Sequence, residues 1–518
     1  MAIARYEYTD GSSSKFWQIE LSGASFTTTH GKIGSSGQTL LKQWPDAATA
    51  KREHDKLIAQ KTKKGYAPVS TGKPAARPKA DKPAAKAAPK AKAAAPVTAG
   101  AYNAALAKVI DADPTDDGAW SVYADWLQSQ GDPRGELAAV QERLRAQPKD
   151  KALLAAEKKL LKDHAAQLVG EIAVFMTRAG KPDIPGVTIK PKHFEEGPPP
   201  LRVQWKSGFF SRVTVGHPGY DWSPFKNKVR GASADDSDND DDGGGIDLNI
   251  DVTKLLKDVL ASPAARFVTS LRLATPNDPD DGECDYAPLL KKIGDHEALR
   301  RLRSLYIGDI SQEESELSWI EIGDISKLYP QLKNLRKLTL RGNSRLKLGT
   351  IALPALRELT IITGGLDKKN LAAILAARWP KLEKLELSFG QSNYGSNCKL
   401  KDLAPLLDGK AFPKLEHLGL TSCEFADELA AVLPTAKIVK QLQTLDLSGG
   451  TLTDTGVQAL APHKDAFTHL KRIDLSENFI TKKASNVAAS LAPAVRTKPQ
   501  READEYDGEV HRYAVLGE

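Results

Sequence analysis

Residues His30-Gly31-Lys32-Ile33-Gly34 place one lysine between two glycines. Glycine lets a backbone bend close to a phosphate, and a lysine at that point supplies the charge. The same stretch, between "SFTTT" and "TLLKQW", also has the make-up of a plain hairpin turn, so both readings stand. A second group with acid–base potential is Asp125, Asp132, Arg134 and Glu136. General acid–base work needs two carboxylates converging on one pocket. Each of these sits at an expected helix border, where caps and ion pairs account for it. Asp238-x-Asp240-x-Asp242-Gly243 imitates the start of a calcium loop. Its eighth and twelfth positions are Gly245 and Asn249, where such a loop needs a hydrophobe and a bidentate glutamate. Cys284, Cys398 and Cys423 are widely spaced with no metal-ligand pattern, so no metal or other cofactor is expected and the compartment is a reducing one. The chain shows no Walker loop, dinucleotide loop, zincin motif or serine elbow. "GGGID" at 243–247 lacks the strand–turn–helix frame and the following Gly-Lys-Ser/Thr of a phosphate loop. No catalytic residue is assigned.

The elements around the first group are short. "YEYTDGSSSKFWQIELSGASFTTTHGKIG" reads as strand runs separated by Asp10–Gly11 and Ser22–Gly23 turns. "DAATAKREHDKLIAQKTKKGY" reads as an amphipathic helix, with Ala50, His54, Leu57 and Ile58 at helical spacing. The signature His30-Gly31-Lys32-Ile33-Gly34-Ser35-Ser36-Gly37-Gln38, with the helix and the closing Lys63-Lys64-Gly65-Tyr66, resembles the WGR domain over about residues 1–66. That family is known from DNA-dependent poly(ADP-ribose) polymerases and from bacterial proteins. The resemblance implies a small sheet with one helix and a nucleic-acid surface at His30, Gly31, Lys32, Gly34, Gln38, Lys61, Lys63 and Lys64. Two positions depart from the signature: His30 stands for its tryptophan and Lys32 for its arginine, which keeps the charge and loses the planar fork.

Charge supports an anionic partner. Residues 1–66 hold ten Lys/Arg against six Asp/Glu, and residues 67–100 hold seven against one. The first hundred residues therefore carry +10, and the rest of a +7 chain carries −3. A basic module beside a basic linker suits duplex DNA or another nucleic acid. The linker, rich in Ala, Pro and Lys, has too few large apolar residues to form a core. The acidic run at 231–247 reads as a disordered insertion. "MAIARYEYTDG" has no apolar signal stretch and no run is long enough to span a bilayer, so a cytoplasmic location is expected.

Residues 101–230 read as a helical module with a hairpin. Leu106, Val109 and Ile110 mark one helix, and Trp120, Tyr123 and Leu127 a second. A third opens at Pro133, and residues 148–170 form a long amphipathic helix. "LRVQWKSGFFSRVTVG" is the hairpin. Asp113-Pro114, Tyr123-Ala124-Asp125-Trp126-Leu127 and Gly131-Asp132-Pro133-Arg134-Gly135-Glu136 resemble a small bacterial repeat-companion domain found beside protein-interaction repeats.

From residue 268 a Leu-x-x-Leu-x-Leu pattern begins at Val268, Leu302, Leu335, Leu356, Leu382, Leu415, Leu442 and Leu470, at intervals of 34, 33, 21, 26, 33, 27 and 28 residues. Each copy is one short strand with a helical or looped return, and stacked copies share a core. The pattern predicts a leucine-rich repeat solenoid over 248–495, followed by a tail at 496–518. Segments such as "LEHLGLTSCEFADELAAVL" and "TLDLSGGTLTDTGVQAL" are also similar to an uncharacterised bacterial repeat family. Alternation turns Tyr306, Lys337, Arg341, Lys384, His417 and Arg472 out of the core and onto the concave face, where a mixed-sign surface suits a reversible protein partner. The whole chain thus reads as a multidomain α/β protein: a small sheet-plus-helix module, a helical middle module and a repeat solenoid. The expected role is a non-catalytic adaptor between nucleic acid and an unidentified protein, away from membranes. A protein-only scaffold is the alternative. An enzyme whose site is scattered through the sequence is a third reading.

Overall fold

The computed structural model describes residues 3–10, 13–33, 38–43, 46–63, 66–69, 100–172, 177–178, 181–182, 200–217, 251–277, 284–312, 314–343, 345–506 and 508–517. The acidic run with its calcium-like stretch, and residues 70–99 of the basic linker, lie outside them. The chain divides into two compact units, Met1–Lys92 and Ala93–Glu518.

In the first unit, strands β1 (Ile3–Asp10), β2 (Ser13–Ser22), β3 (Ser25–Lys32) and β4 (Gln38–Gln43) precede helix α1 (Ala47–Lys63), and β5 (Ala67–Val69) follows it. The five strands form one antiparallel sheet in the order β4-β3-β2-β1-β5. Alternation along β2 sends Trp17 and Ile19 inward beside Phe26 of β3, and Leu57 and Ile58 of α1 close over them. Asp46 starts the helix: its Oδ1 accepts the Thr49 amide at 2.7 Å. Ala67–Val69, which composition assigns to the linker, is an edge strand of this sheet. Pro68 fits there because an edge strand tolerates a missing donor.

The second unit opens with helices α2 (Ala104–Ala112), α3 (Asp117–Ser129), α4 (Pro133–Ala146), α5 (Lys151–Asp163) and α6 (Ala165–Val169). Asn103, Asp116, Asp132 and Asp150 cap the first four with side-chain oxygens on early amides, and Pro133 takes the first position of α4. The single helix expected over 148–170 is interrupted at His164, whose φ of −116° and ψ of 18° leave the helical region. A short hairpin, β6 (Thr177–Arg178) and β7 (Lys181–Pro182), follows.

Strands β8 (Leu201–Lys206) and β9 (Phe209–Val215) come next, joined by Ser207 and Gly208 at φ 48° and 80°. Two residues at positive φ make the turn that matches strand twist. Gly208 is required, because a Cβ there would sit 2.5 Å from the Arg134 carbonyl oxygen. Its amide donates to Gln141 Oε1 of α4 at 2.8 Å. The hairpin that the sequence groups with the helices is therefore the first edge of the large sheet. After it run β10 (Ser270–Leu273), β11 (Cys284–Asp285), β12 (Ser304–Ile307), β13 (Ile320–Glu321), β14 (Lys337–Arg341), β15 (Glu358–Ile362), β16 (Lys384–Ser388), β17 (His417–Thr421), β18 (Thr444–Asp446), β19 (Arg472–Asp474) and β20 (Val495–Arg496). Leaving β11 and β13 as a separate pair, eleven strands form one mixed sheet whose spatial order follows the chain. Every pairing from β9 onward is parallel.

One register row of this sheet is Leu271, Leu305, Leu338, Leu359, Leu385, Leu418, Leu445 and Ile473, each no more than 2% exposed. Burying each such side chain contributes roughly 1.5–3 kcal/mol, so the row is a continuous core running from strand to strand. Leu137, Leu160 and Leu168 of the helices belong to the same core. The end of the chain is tied down. After β21 (Asp504–Tyr506) and β22 (Glu509–His511), the Val515 amide donates to Gly449 O at 2.8 Å and Gln391 Nε2 donates to Ala514 O at 2.9 Å.

Candidate functional site

Two surfaces carry the residues singled out above. In the first unit, His30, Gly31 and Lys32 end β3 and Gln38 begins β4. His30 pairs in register with Gln38 on one side and with Trp17 on the other. The motif is thus a hairpin mouth. Gly34 and Lys64 lie outside the described residues. Lys63 is in the last turn of α1. Lys32 stands opposite Lys15 of β2. Lys61 is positioned by aromatic rings: its Nζ lies 5.7 Å from the Trp17 centroid and 5.2 Å from that of Tyr66.

In the second unit, the six residues expected on one face do share it. Ser304, Lys337, Glu358, Lys384, His417, Thr444 and Arg472 form one register row. Tyr306, Thr339, Thr360, Glu386, Gly419, Asp446 and Asp474 form the next row of the same face. The cations are paired across and along strands. Lys337 Nζ is 2.8 Å from Glu358, Lys384 Nζ is 3.0 Å from Glu386, and Arg472 Nη2 is 2.5 Å from Asp474. The Arg272 guanidinium lies 4.6 Å from the Tyr306 centroid and is ion-paired with Asp309. Arg341 leaves Nη1 buried without a hydrogen-bond partner among the described residues. Arg272 and Asp309 are functional candidates that the sequence reading passes over. The signal was there: Arg272 holds in "SLRL" the place that Tyr306 holds in "SLYI".

One hydrogen-bonded cluster on this face centres on Glu386. Its Oε1 meets His417 Nε2 at 3.1 Å, its Oε2 accepts from Thr360 Oγ1 at 3.0 Å, and His417 Nδ1 lies 2.5 Å from Thr444 Oγ1. Burial alone would raise its pKa. Hydrogen bonds from His417 and Lys384, and the Lys384 charge, outweigh it and hold the carboxyl at about 2, against an ordinary 4.5. A depressed carboxyl stabilises the fold above its unfolded pKa and stops doing so as pH falls through the folded value. Between pH 5 and pH 3 the wild-type chain therefore loses about 1–2 kcal/mol that Glu386→Gln does not lose. Urea unfolding of both chains at the two pH values checks this.

The three cysteines are buried, unpaired thiols. Burial pushes all three above the ordinary value, Cys398 to about 12, so none is a ready thiolate. Among the described residues no group of three or more His, Cys, Asp or Glu side chains could hold a metal ion, and no helix is long and apolar enough to cross a membrane.

Comparison with known proteins places these surfaces in context. Residues 3–73 match the WGR domain, and residues 441–461 match a leucine-rich repeat. The Escherichia coli uncharacterized protein YfeS is 42% identical over 62 residues, and the Escherichia coli protein YehF 44% identical over 64. Each match covers 12% of this chain, and 25% and 23% of those proteins, so the chain spans about a quarter of the relatives it matches. A crystal structure of a Bacteroides fragilis protein aligns over 97% of both chains at 21% identity and a TM-score of 0.46. An internalin of Listeria monocytogenes aligns over 46% of this chain and 82% of its own, at 16% identity and a TM-score of 0.22. The two matched domains are non-catalytic kinds.

Proposed function

We propose that this chain, which carries a WGR domain at residues 3–73 and a leucine-rich repeat at residues 441–461, is a non-catalytic adaptor that holds nucleic acid at one end and a protein at the other. The observation that carries the first half is the Lys15–Lys32 register pair at the β2–β3 end, next to the His30–Gln38 mouth and followed by a basic linker. Lysines at facing register positions suit a polyanion, and backbone contacts of that kind carry little sequence preference. Duplex DNA is the form assigned. The second half rests on the sheet face, which we read as the concave side of a leucine-rich repeat solenoid spanning residues 248–495. Its cations already have acidic neighbours, so a partner there exchanges ion pairs rather than meeting bare charge, which suits reversible binding. Residues 101–230, with the repeat-companion signature, join this face to what precedes it.

The test has two arms. Full-length chain should shift labelled duplex DNA at low salt. A pull-down with the full-length chain should recover a protein that binds without nucleic acid. The double variant Tyr306→Ala, Arg341→Ala should reduce that recovery by roughly thirtyfold, the loss of about one interface hot spot, with the circular dichroism unchanged. Recovery that survives the two substitutions removes the sheet face as the protein-binding surface.

A further inference from the structure

A cavity of about 250 Å³ lies where the helices meet the start of the large sheet. Its walls bring together distant parts of the chain, among them Asp111 and Pro114 at the end of α2 and Arg300, Arg301 and Arg303 just before β12. Three arginines line one small space, with Asp111 and Glu297 the acidic residues in its wall. Their bonding is unequal. Arg301 Nε has Asp111 Oδ1 at 3.0 Å, and Arg300 Nε has the neutral Gln331 Oε1 at 2.7 Å.

Among the described residues Arg303 has no carboxylate within ion-pair distance. Its Nη2 and Nη1 donate only to backbone carbonyls, Asp111 O at 3.2 Å and Asn334 O at 3.4 Å, and its Nε is buried with no hydrogen-bond partner among the described residues. Arg336 enters the next register position and adds a further positive charge; its amide donates to Arg303 O at 2.8 Å. Burial first, and then the Arg336 charge, push the Arg303 pKa down against smaller opposing pulls from Asp111 and Asp113. A part-buried cation beside other cations is stabilised when an anion joins it.

We propose that this cavity is a binding site for a phosphate group, either free or carried on a small organic molecule. Donors from three arginines around one space suit a tetrahedral oxyanion, whereas a carboxylate is satisfied in the plane of one guanidinium fork. The volume falls below the roughly 300–1,000 Å³ of sites for drug-sized ligands, so any organic part is short. The bound phosphate bridges the end of α2 and the segment that leads into β12, and so couples the helices to the first repeats.

Isothermal titration and thermal unfolding of the full-length chain test the site. The probes are inorganic phosphate, glycerol 3-phosphate and acetate, with sodium chloride matched in ionic strength. Saturable phosphate binding with a rise in Tm is expected, and no comparable response to acetate. Arg303→Met should weaken phosphate binding at least tenfold. The exposed Arg336→Gln should weaken it severalfold with the fold intact, which keeps the test decisive if Arg303→Met fails to fold. Arg145→Gln, an exposed arginine elsewhere, should leave it unchanged. Tighter binding of glycerol 3-phosphate than of inorganic phosphate identifies the carried form, and the reverse identifies the free ion. Absence of saturable binding, equal binding in the Arg336→Gln chain, or an acetate response equal to that of phosphate overturns the proposal.

Discussion

Replacing Arg134 by methionine is expected to cost about 3–5 kcal/mol, the usual effect of leaving one member of a buried ion pair alone. Arg134 is 1% exposed, although arginine is rarely so deep. It forms a fork with Asp132, with Nε 2.9 Å from Oδ1 and Nη2 on Oδ2. Nη1 reaches Pro263 O at 3.4 Å, and the guanidinium lies 5.3 Å from the Phe209 centroid. Asp132 is committed as well. It caps α4 through the Arg134 amide and accepts the Ala101 amide at 3.0 Å. Burial would raise its pKa, but the hydrogen bonds and charge of Arg134 lower it, so without Arg134 the carboxylate is buried and unpaired. Lysine keeps the charge without the fork and should recover only part of the loss. The contrast is Arg145, exposed and paired with Asp117 and Glu142, where alanine should cost less than about 1 kcal/mol. Urea unfolding of the full-length variants separates the two. Equal losses would mean that the buried fork does not hold the helices to the hairpin.

The second large effect concerns salt. If six or more phosphates are neutralised by the lysines of the first hundred residues, duplex affinity should fall about a thousandfold between 50 and 200 mM salt. Titration of a labelled duplex at several salt concentrations gives the slope directly. A slope near zero would mean that binding, if present, is not by backbone neutralisation. Sequence preference should be weak, because phosphate contacts carry position rather than base identity.

Much of the second unit was legible because leucine spacing is a strong local signal. Leu302-x-x-Leu305-x-Ile307 predicts a strand at that place, and β12 covers Ser304–Ile307. The start of α4 was legible through Asp132 and Pro133, since capping is chemistry within three residues, whereas the caps at Asn103, Asp116 and Asp150 were passed over. Several short strands were hidden, and two show why. β5 is three exposed residues with a proline, too short for any period, and it exists because β1 offers an open edge. β20 lies where the leucine pattern has ended, and the ladder extends to it through backbone pairing and the packing of Val495 on the core. The face was legible in its residues and not in its pairing. His417 and Glu386 are 31 positions apart, and the sheet's register, not local sequence, brings them within hydrogen-bond reach. The arginine cavity was hidden for the same reason: Asp111 and Arg301 are 190 positions apart.

The central claim is that the folded N-terminal module, and not the linker alone, holds nucleic acid. Fluorescence anisotropy of a labelled DNA duplex at 50 mM salt, comparing the full-length chain with Lys15→Glu, Lys32→Glu, tests it directly. The account predicts that reversing the two lysines paired across β2 and β3 weakens binding at least tenfold while far-ultraviolet circular dichroism is unchanged. Unchanged affinity would contradict it, because the intact linker lysines would then account for all of the binding.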